Sequence, residues 1–396
     1  MPETASWAAR LGGDQFLTQA LHRSYAVFPA EDADTATLLS WDDLNSILAT
    51  HRLDPPRLRL SKDGQAVPVG WYSTPSTNRR GVAWNRLHPA QLHAQLAEGA
   101  SLVVDAIDEI HPPIRAAADA LERFIGTPVQ TNAYASWTEQ EGFGRHWDDH
   151  AVVVVQQYGA KRWRLWEPTR QAPTFRDVES PEEPEGEPVA DFVLHSGDIL
   201  YLPRGWWHSV TADQGSESLH LTFGLVAQTG ATLLGWLVDE LHESAAVRTD
   251  VPLHASATEK AAYLADLRTA VLTALSNPDL IDRWAWSTGT THFGRPAPSL
   301  PFVNAVPPDR EVTVQITAAR AELTSSPGTG TVTLSAAGTA WDFAERAVPA
   351  LQILLTGDTA SIGDLADAAG LEAKEVADVL TALIRGQALA VVEASR

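Results

Sequence analysis

The chain has 396 residues, no cysteine and a formal net charge of −21. Disulfide frameworks, cysteine-zinc sites and thiol nucleophiles are therefore excluded. The acidity opposes nonspecific attraction to nucleic acid, and it either favours a basic protein or peptide as partner or serves only solubility.

The length suggests two or three domains, with a core large enough to form without disulfides. No N-terminal stretch pairs a charged start with an apolar run, and no apolar run reaches the roughly 18 residues that span a bilayer. The expectation is a soluble cytoplasmic protein with no membrane association.

Residues 1 to about 70 mix short helical and loop signals, such as Ser40 before WDDLNSILATH. HPAQLHAQLAEGA has helical spacing and SLVVDAI suits a strand. PPIRAAADALERFIG reads as a helix opened by Pro and closed by Gly. From Val129 to about Val226 the pattern changes to short strands with turn punctuation: VQTNAYASW, AVVVVQQY, KRWRLWEP, DFVLHSGDILYLP, HSVTA and ESLHLTFGLV. Such spacing predicts a sandwich or barrel. The segment at 176–191 is acidic and proline-rich and reads as an exposed loop.

Beyond residue 230 the period becomes helical. ATLLGWLVDELHES places Leu233, Leu234, Leu237 and Leu241 on one face, and Ser256 with Glu259 makes a capping box for a helix running towards Leu275. This helical stretch suits either a packed subdomain or pairing with a second copy. Residues 310–340 are strand-like, with a TSSPGTGT turn. The last 50 residues read helix, helix, helix, strand, the order of a winged helix. From Trp341 to Arg396 nine acidic residues face four basic ones, the opposite of a groove-reading DNA binder. No DNA binding is expected.

The chemistry centres on GRHWDDHAVVVVQQYGAKRW, residues 144–163. Alternation along a strand would point His146 and Asp148 the same way. An imidazole and a carboxylate on one face are two thirds of the triad that binds Fe(II) and leaves open positions for substrate or oxygen. A lone His-x-Asp is also a common structural pair. SGDILYLPRGWWHS, residues 196–209, adds His208 after a buried strand and a Pro-Arg-Gly turn, where a cupin jelly roll brings its third ligand. His208 could alternatively be a satisfied core histidine. Lys161 follows the Tyr158-Gly159-Ala160 turn, at the start of the strand expected beside AVVVVQQY. A lysine aimed into a barrel needs an anion, which a dicarboxylate would supply; otherwise it snorkels to the rim.

The order HWD, AVVVVQQYGAKRWRLW, GDILYLPRGWWH, SLHLT resembles the JmjC-type cupins, and more narrowly the ribosomal oxygenases, Fe(II)- and 2-oxoglutarate-dependent protein hydroxylases. The resemblance implies a mainly β fold with α elements: a double-stranded β-helix, a helical dimerisation region and a C-terminal winged helix. Its divisions would be 1–230, 231–300 and 301–396. It implies that His146, Asp148 and His208 bind Fe(II) and that Lys161 binds the 2-oxoglutarate carboxylate. Asn132 and Tyr134, in TNAY, and Thr222, in SLHLT, match residues near the cosubstrate. O2 is the second cosubstrate. The implied activity is hydroxylation of a protein or peptide side chain, an Arg or His of a ribosomal protein, by a homodimer. Arg145 departs from the Pro that often precedes the first ligand. A biosynthetic peptide or small molecule is the alternative substrate, and a non-catalytic cupin module or a cupin enzyme working without 2-oxoglutarate, such as an isomerase, is the alternative in kind. His150 is read as a neighbour of the triad rather than a ligand.

Overall fold

A computed structural model describes residues 4–30, 37–175, 182–326 and 330–393. The chain divides into two compact units, Met1–Ala227 and Gln228–Arg396.

The first unit carries thirteen strands among the described residues: β1 (Ala26–Phe28), β2 (Leu58–Lys62), β3 (Gln65–Ala66), β4 (Ser73–Thr77), β5 (Ala83–Leu87), β6 (Ser101–Val104), β7 (Val129–Ser136), β8 (Ala151–Tyr158), β9 (Ala160–Trp166), β10 (Ala190–His195), β11 (Ile199–Leu202), β12 (Trp207–Ala212) and β13 (Ser218–Leu225). Eight of them form one sheet in the order β1-β11-β8-β13-β7-β6-β2-β3, and β10-β9-β12 form a smaller one. The two lie face to face as a jelly roll. Strands β4 and β5 make a separate two-stranded hairpin.

Alternation explains the layering. On β8, Val153 and Val155 point to one face of the large sheet and Val152 and Val154 to the other. The first face packs with Ala133, Leu221 and Phe223 under helices Thr4–Leu11 and Pro112–Ile125, through Leu11, Ile114 and Leu121. Trp7 fastens this layer by donating its indole N–H to the Ala117 carbonyl at 2.9 Å. The second face meets Trp163, Leu165 and Leu194 of the small sheet. A strand buried on both faces reads as a continuous apolar run, which is why AVVVV does not alternate. The helix Pro112–Ile125 begins with proline and ends at Gly126 with φ 79°, as its sequence predicts. Ser40 and Asp43 form the cap of helix Trp41–Thr50.

Two expectations need correction. Strand β9 is not beside β8. Gly159, at φ 67°, turns the chain out of the large sheet, and β9 pairs with β10 and β12 instead. A Cβ on Gly159 would overlap the Glu217 carbonyl oxygen, so only glycine makes this crossing. The HWD triplet is also not strand. His146 makes one isolated bridge to His208, and β8 starts only at Ala151. Of the acidic segment 176–191, residues 176–181 lie outside the described residues. Residues 182–189 are loop, and Ala190 and Asp191 already belong to β10.

The second unit starts with helices Gly230–Glu240, Ala245–Arg248, Ala257–Leu275 and Leu280–Thr291. The Ser256–Glu259 capping box forms as expected. Leu237 is buried and Leu234 is exposed; Leu241 lies past the helix end. Strands Glu322–Ser326, Thr331–Ala336 and Thr339–Ala344 form an antiparallel meander. Helices Val348–Leu355, Ile362–Ala369 and Ala373–Arg385 share a core with Val312, Val314 and Leu389. The order read as helix, helix, helix, strand is present, with a two-residue strand Ala360–Ser361 between the first two helices. Residues 327–329 of the TSSPGTGT turn lie outside the described residues. Among the described residues no helix is long and apolar enough to cross a membrane.

Candidate metal and cosubstrate site

The space between the two sheets is a cavity of about 670 Å³. All seven residues singled out in the sequence line it: Asn132, Tyr134, His146, Asp148, Lys161, His208 and Thr222.

His146, Asp148 and His208 come together with one ligand atom each, all within 4.8 Å of one another. The pairing of the two histidines is built into the backbone. His146 N–H donates to the His208 carbonyl at 3.0 Å, and His208 N–H donates back at 2.7 Å. Between them in sequence, Trp147 points the other way and packs against Trp166 and Trp207. That apolar anchor leaves His146 and Asp148 facing the cavity, although the segment is not a strand.

The rings are oriented in the same manner. His146 Nδ1 lies 2.9 Å from the Gly144 carbonyl, and His208 Nδ1 lies 3.1 Å from the Trp206 carbonyl. A carbonyl oxygen only accepts, so each Nδ1 carries a proton, and in the neutral ring the lone pair is left on Nε2. His208 Nε2 lies 3.6 Å from Asp148 Oδ2. Two acceptors at that range repel unless a cation or a proton lies between them. Two imidazoles and a carboxylate, with the rings oriented by backbone carbonyls, are a donor set for a divalent transition metal.

Lys161 sits on the small sheet, opposite Leu194 and Ala212 in register, and is 5% exposed. Burial alone pulls its ammonium down from 10.5 to about 7. It has no carboxylate partner within ion-pair distance among the described residues. Its burial keeps it from the rim, and the cavity holds a lysine amine whose charged form has no carboxylate partner among the described residues.

Asn132 accepts from the Ala106 N–H at 2.9 Å, which turns its amide N–H group towards the Tyr134 hydroxyl. Burial, then the charge of Asp148, holds the Tyr134 phenol above its usual range. Tyr134 stacks flat on His220, with centroids 5.0 Å apart and planes at 3°. Burial, and then the Lys161 charge, keeps His220 well below the usual imidazole value, so it is neutral. Thr222 faces the cavity from β13. His150 is at the cavity wall, beside Asp149 at 3.1 Å, and is not part of the metal-capable group.

Arg59, His220 and Trp163 also line the cavity and are not among the site residues expected from the sequence. Arg59 arrives from β2, held by Asp105 at 2.6 and 3.1 Å, and also bonds Tyr134. His220 and Trp163 complete the wall; Trp163 stacks on His208 with centroids 5.7 Å apart. His220 shares a face with Thr222 by alternation, which is the signal that could have found it. Arg59 carries no such local signal.

Fold and geometry define a cupin-type jelly roll with a two-histidine, one-carboxylate cluster in its mouth. The family model of the JmjC domain matches residues 108–233 of this chain. Among curated proteins it is similar to the bifunctional lysine-specific demethylase and histidyl-hydroxylase NO66 of Drosophila persimilis. The identity is 31% over 175 residues, covering 44% of this chain and 22% of that one. The corresponding protein of Drosophila erecta is 33% identical over 178 residues, covering 43% and 27%. The chain thus spans less than a third of the length of these relatives. Among solved structures, YcfD, a ribosomal oxygenase from Escherichia coli in complex with cobalt and 2-oxoglutarate, matches with a TM-score of 0.63. The identity is 19%, over 96% of this chain and 98% of that one, a likeness of fold.

Proposed function

We propose that the protein is an Fe(II)- and 2-oxoglutarate-dependent oxygenase that hydroxylates a side chain of a protein or peptide. The observation that carries this reading is one cavity holding, apart from each other, a metal-capable His146–Asp148–His208 cluster and the unpaired cation of Lys161. A chelating keto acid with a distal carboxylate satisfies both at once. An isomerase-type cupin has no use for the lysine, and a binding module has no use for the preset Nε2 atoms.

The residues divide the work. His146, Asp148 and His208 would hold iron on one face, with the Gly144 and Trp206 carbonyls keeping both rings in place. Lys161 would bind the distal carboxylate and so orient the keto acid end towards the cluster. Asn132, Tyr134 and Thr222 would hydrogen-bond the cosubstrate from the large sheet. When bound, iron with 2-oxoglutarate and O2 supplies the oxidation that converts a C–H bond to C–OH. Trp163, Val152 and Val154 wall the cavity with apolar surface and keep bulk water out.

We further propose that the substrate is basic, in keeping with the net charge of −21, and that it is an Arg or His of a ribosomal protein. The Escherichia coli ribosomal oxygenase and the histidyl-hydroxylases support this assignment by their likeness. The proposed organisation is a jelly-roll domain at 1–230, a helical dimerisation region at 231–300 and a winged helix at 301–396. Helix Ala257–Leu275 favours a homodimer: it buries none of its described residues, and it exposes Leu264, Leu272 and Leu275. The acidic balance of the last segment favours protein contact over DNA. The location that fits is the cytoplasm.

The test is mass spectrometry of ribosomal proteins after incubation with the enzyme, ferrous iron and 2-oxoglutarate under air. A mass gain of one oxygen atom on an Arg or His, absent without 2-oxoglutarate, is the expected result. Modification of peptides outside the ribosome alone would move the substrate elsewhere. No 2-oxoglutarate turnover with any extract would overturn the oxygenase reading.

A further inference from the structure

The acidic chain contains one concentrated basic stretch, of which only Arg59 reaches the oxygenase cavity. Between residues 52 and 88 it has Arg52, Arg57, Arg59, Lys62, Arg79, Arg80 and Arg86 against Asp54 and Asp63, seven basic to two acidic, a local balance of +5 within a net of −21. Three of the seven are neutralised: Arg57 by Glu109 at 2.5 Å, Arg59 by Asp105 at 2.6 Å and Lys62 by Glu98 at 3.8 Å. The other four, Arg52, Arg79, Arg80 and Arg86, are exposed and have no carboxylate at ion-pair distance among the described residues.

The hairpin β4–β5 gathers these four. Its register pairs Ser76 with Trp84 and Thr74 with Arg86, so Trp84 and Arg86 share one face with two small hydroxyl residues. The guanidinium of Arg52 lies over the Trp84 ring at 4.4 Å, which brings it to that face too. Arg79 and Arg80 form the hairpin tip, where Asn78 Oδ1 accepts from the Arg80 N–H at 2.9 Å and the Val82 N–H at 3.1 Å. That closed turn holds the two arginines side by side. At the hairpin's base Trp71, two residues before β4, is 59% exposed.

We propose that the β4–β5 hairpin is a docking surface for single-stranded RNA. Four unpaired guanidiniums fit phosphate oxygens through their planar forks, and all four are arginine rather than lysine. The exposed indole at the hairpin's base offers a stacking platform for a base, which an acidic peptide would not use. The strong negative charge elsewhere repels a polyanion, so contact is confined to this hairpin rather than spread over the surface. A two-residue arginine tip on a short ribbon, with an aromatic at its base, suits a strand with unstacked bases better than a duplex. This inference stands apart from the oxygenase reading, and its test needs neither metal nor 2-oxoglutarate.

The experiment is fluorescence anisotropy of the full chain with a labelled 20-nucleotide mixed-sequence single-stranded RNA. Wild type should bind at low salt with a log–log salt slope of about −2 to −3, as expected for three or four phosphate contacts at roughly −0.7 each. Arg79→Glu with Arg80→Glu should weaken binding at least tenfold, on the order of two charge-assisted contacts, and Arg86→Glu less. Lys374→Glu, in the second unit, should change nothing. Trp71→Ala should weaken RNA binding severalfold but leave binding to inorganic polyphosphate, which has no bases, unchanged. Circular dichroism of each variant separates misfolding from lost contact, and Arg79→Gln with Arg80→Gln, on the exposed tip, gives the same reading with milder change. No binding by wild type at low salt, equal binding by the tip variants, or tighter binding to polyglutamate or duplex DNA than to RNA would overturn the proposal.

Discussion

At the triad end of the cavity, His146 and His208 each settle Nδ1 on a backbone carbonyl two residues upstream. At the other end, Lys161 is as buried as His208 but meets no carboxylate among the described residues, and its ammonium is pulled down to about 7. The first region is preorganised at little cost to the fold, because every proton on the rings has an acceptor. The second stores a penalty that only a bound anion relieves. The comparison separates residues that are prepared by the fold from one that is completed by its ligand. Mutations at the two ends should accordingly differ in kind.

The largest effect is expected at the triad. His208→Ala or His146→Ala should abolish 2-oxoglutarate turnover, because among the described residues only His146, Asp148 and His208 group as metal ligands there. The Nδ1 of each ring is held by a local backbone carbonyl and neither ring belongs to the apolar core, so the fold should survive with a melting temperature within a few degrees of wild type, roughly the shift of a 1 kcal/mol change in a domain of this size. Calorimetry of metal binding and a melting curve check both parts. Full iron-dependent activity in either variant would break the ligand assignment and with it the contrast.

At the lysine end the loss should be partial and confined to the cosubstrate. Lys161→Ala should raise the apparent Michaelis constant for 2-oxoglutarate about ten- to a hundredfold, since a charge-assisted hydrogen bond is worth about 1.5–3 kcal/mol. Metal affinity should stay close to wild type. Lys161→Arg should keep much of the affinity, although its fork fits a lysine-sized space less well. An unchanged constant in Lys161→Ala would remove the cosubstrate role.

The two ends also differed in how far they could be read from the sequence. HWD and PRGWWH are contiguous and ordered, so the triad was legible even though the first triplet is a loop anchored by Trp147 and not a strand. Lys161 was legible for its residue type but not for its place. The crossing at Gly159 moves β9 to the other sheet, and strand partners are long-range choices that a local pattern does not contain. Arg59 was illegible for the same reason. It reaches the cavity only because β2 pairs with β6, and β6 with β7, more than 20 residues apart at each step. Capping boxes such as Ser256–Glu259 and the Pro112-to-Gly126 helix were legible because their physics is local.

A pH series sharpens the contrast with a smaller effect. In the protein without cosubstrate Lys161 loses its proton near pH 7, and a bound carboxylate raises that value. Above pH 7, binding 2-oxoglutarate must therefore take up a proton. Its affinity should fall as pH rises, by at most tenfold per unit. Lys161→Arg should abolish this slope, because a guanidinium keeps its charge across the range. Calorimetric titration at several pH values, in buffers of different ionisation enthalpy, measures the proton uptake directly. A flat profile in wild type would mean that Lys161 is not the group meeting the carboxylate.

The smallest effect on function-free behaviour is also the most direct test of the stored penalty. Lys161→Met keeps the volume and length of the stem while removing the charge. In the absence of 2-oxoglutarate it should stabilise the protein. One pKa unit corresponds to 1.36 kcal/mol, so holding an ammonium of ordinary value 10.5 near 7 costs on the order of a few kcal/mol at neutral pH. The sign follows from proton counts. Between about pH 7 and the ordinary value, the unfolded chain keeps the lysine proton that the folded chain has released, so wild-type stability rises with pH across that window. The cost is present in full below pH 7 and fades towards the ordinary value. Lys161→Met should melt several degrees higher than wild type near pH 7 and should lack this component of the pH dependence. 2-Oxoglutarate should narrow or reverse the gap, because at a given concentration it stabilises the wild type more than the variant. A Lys161→Met protein less stable than wild type without ligand would mean that the lysine is already satisfied by the fold, and the two ends of the cavity would then not differ.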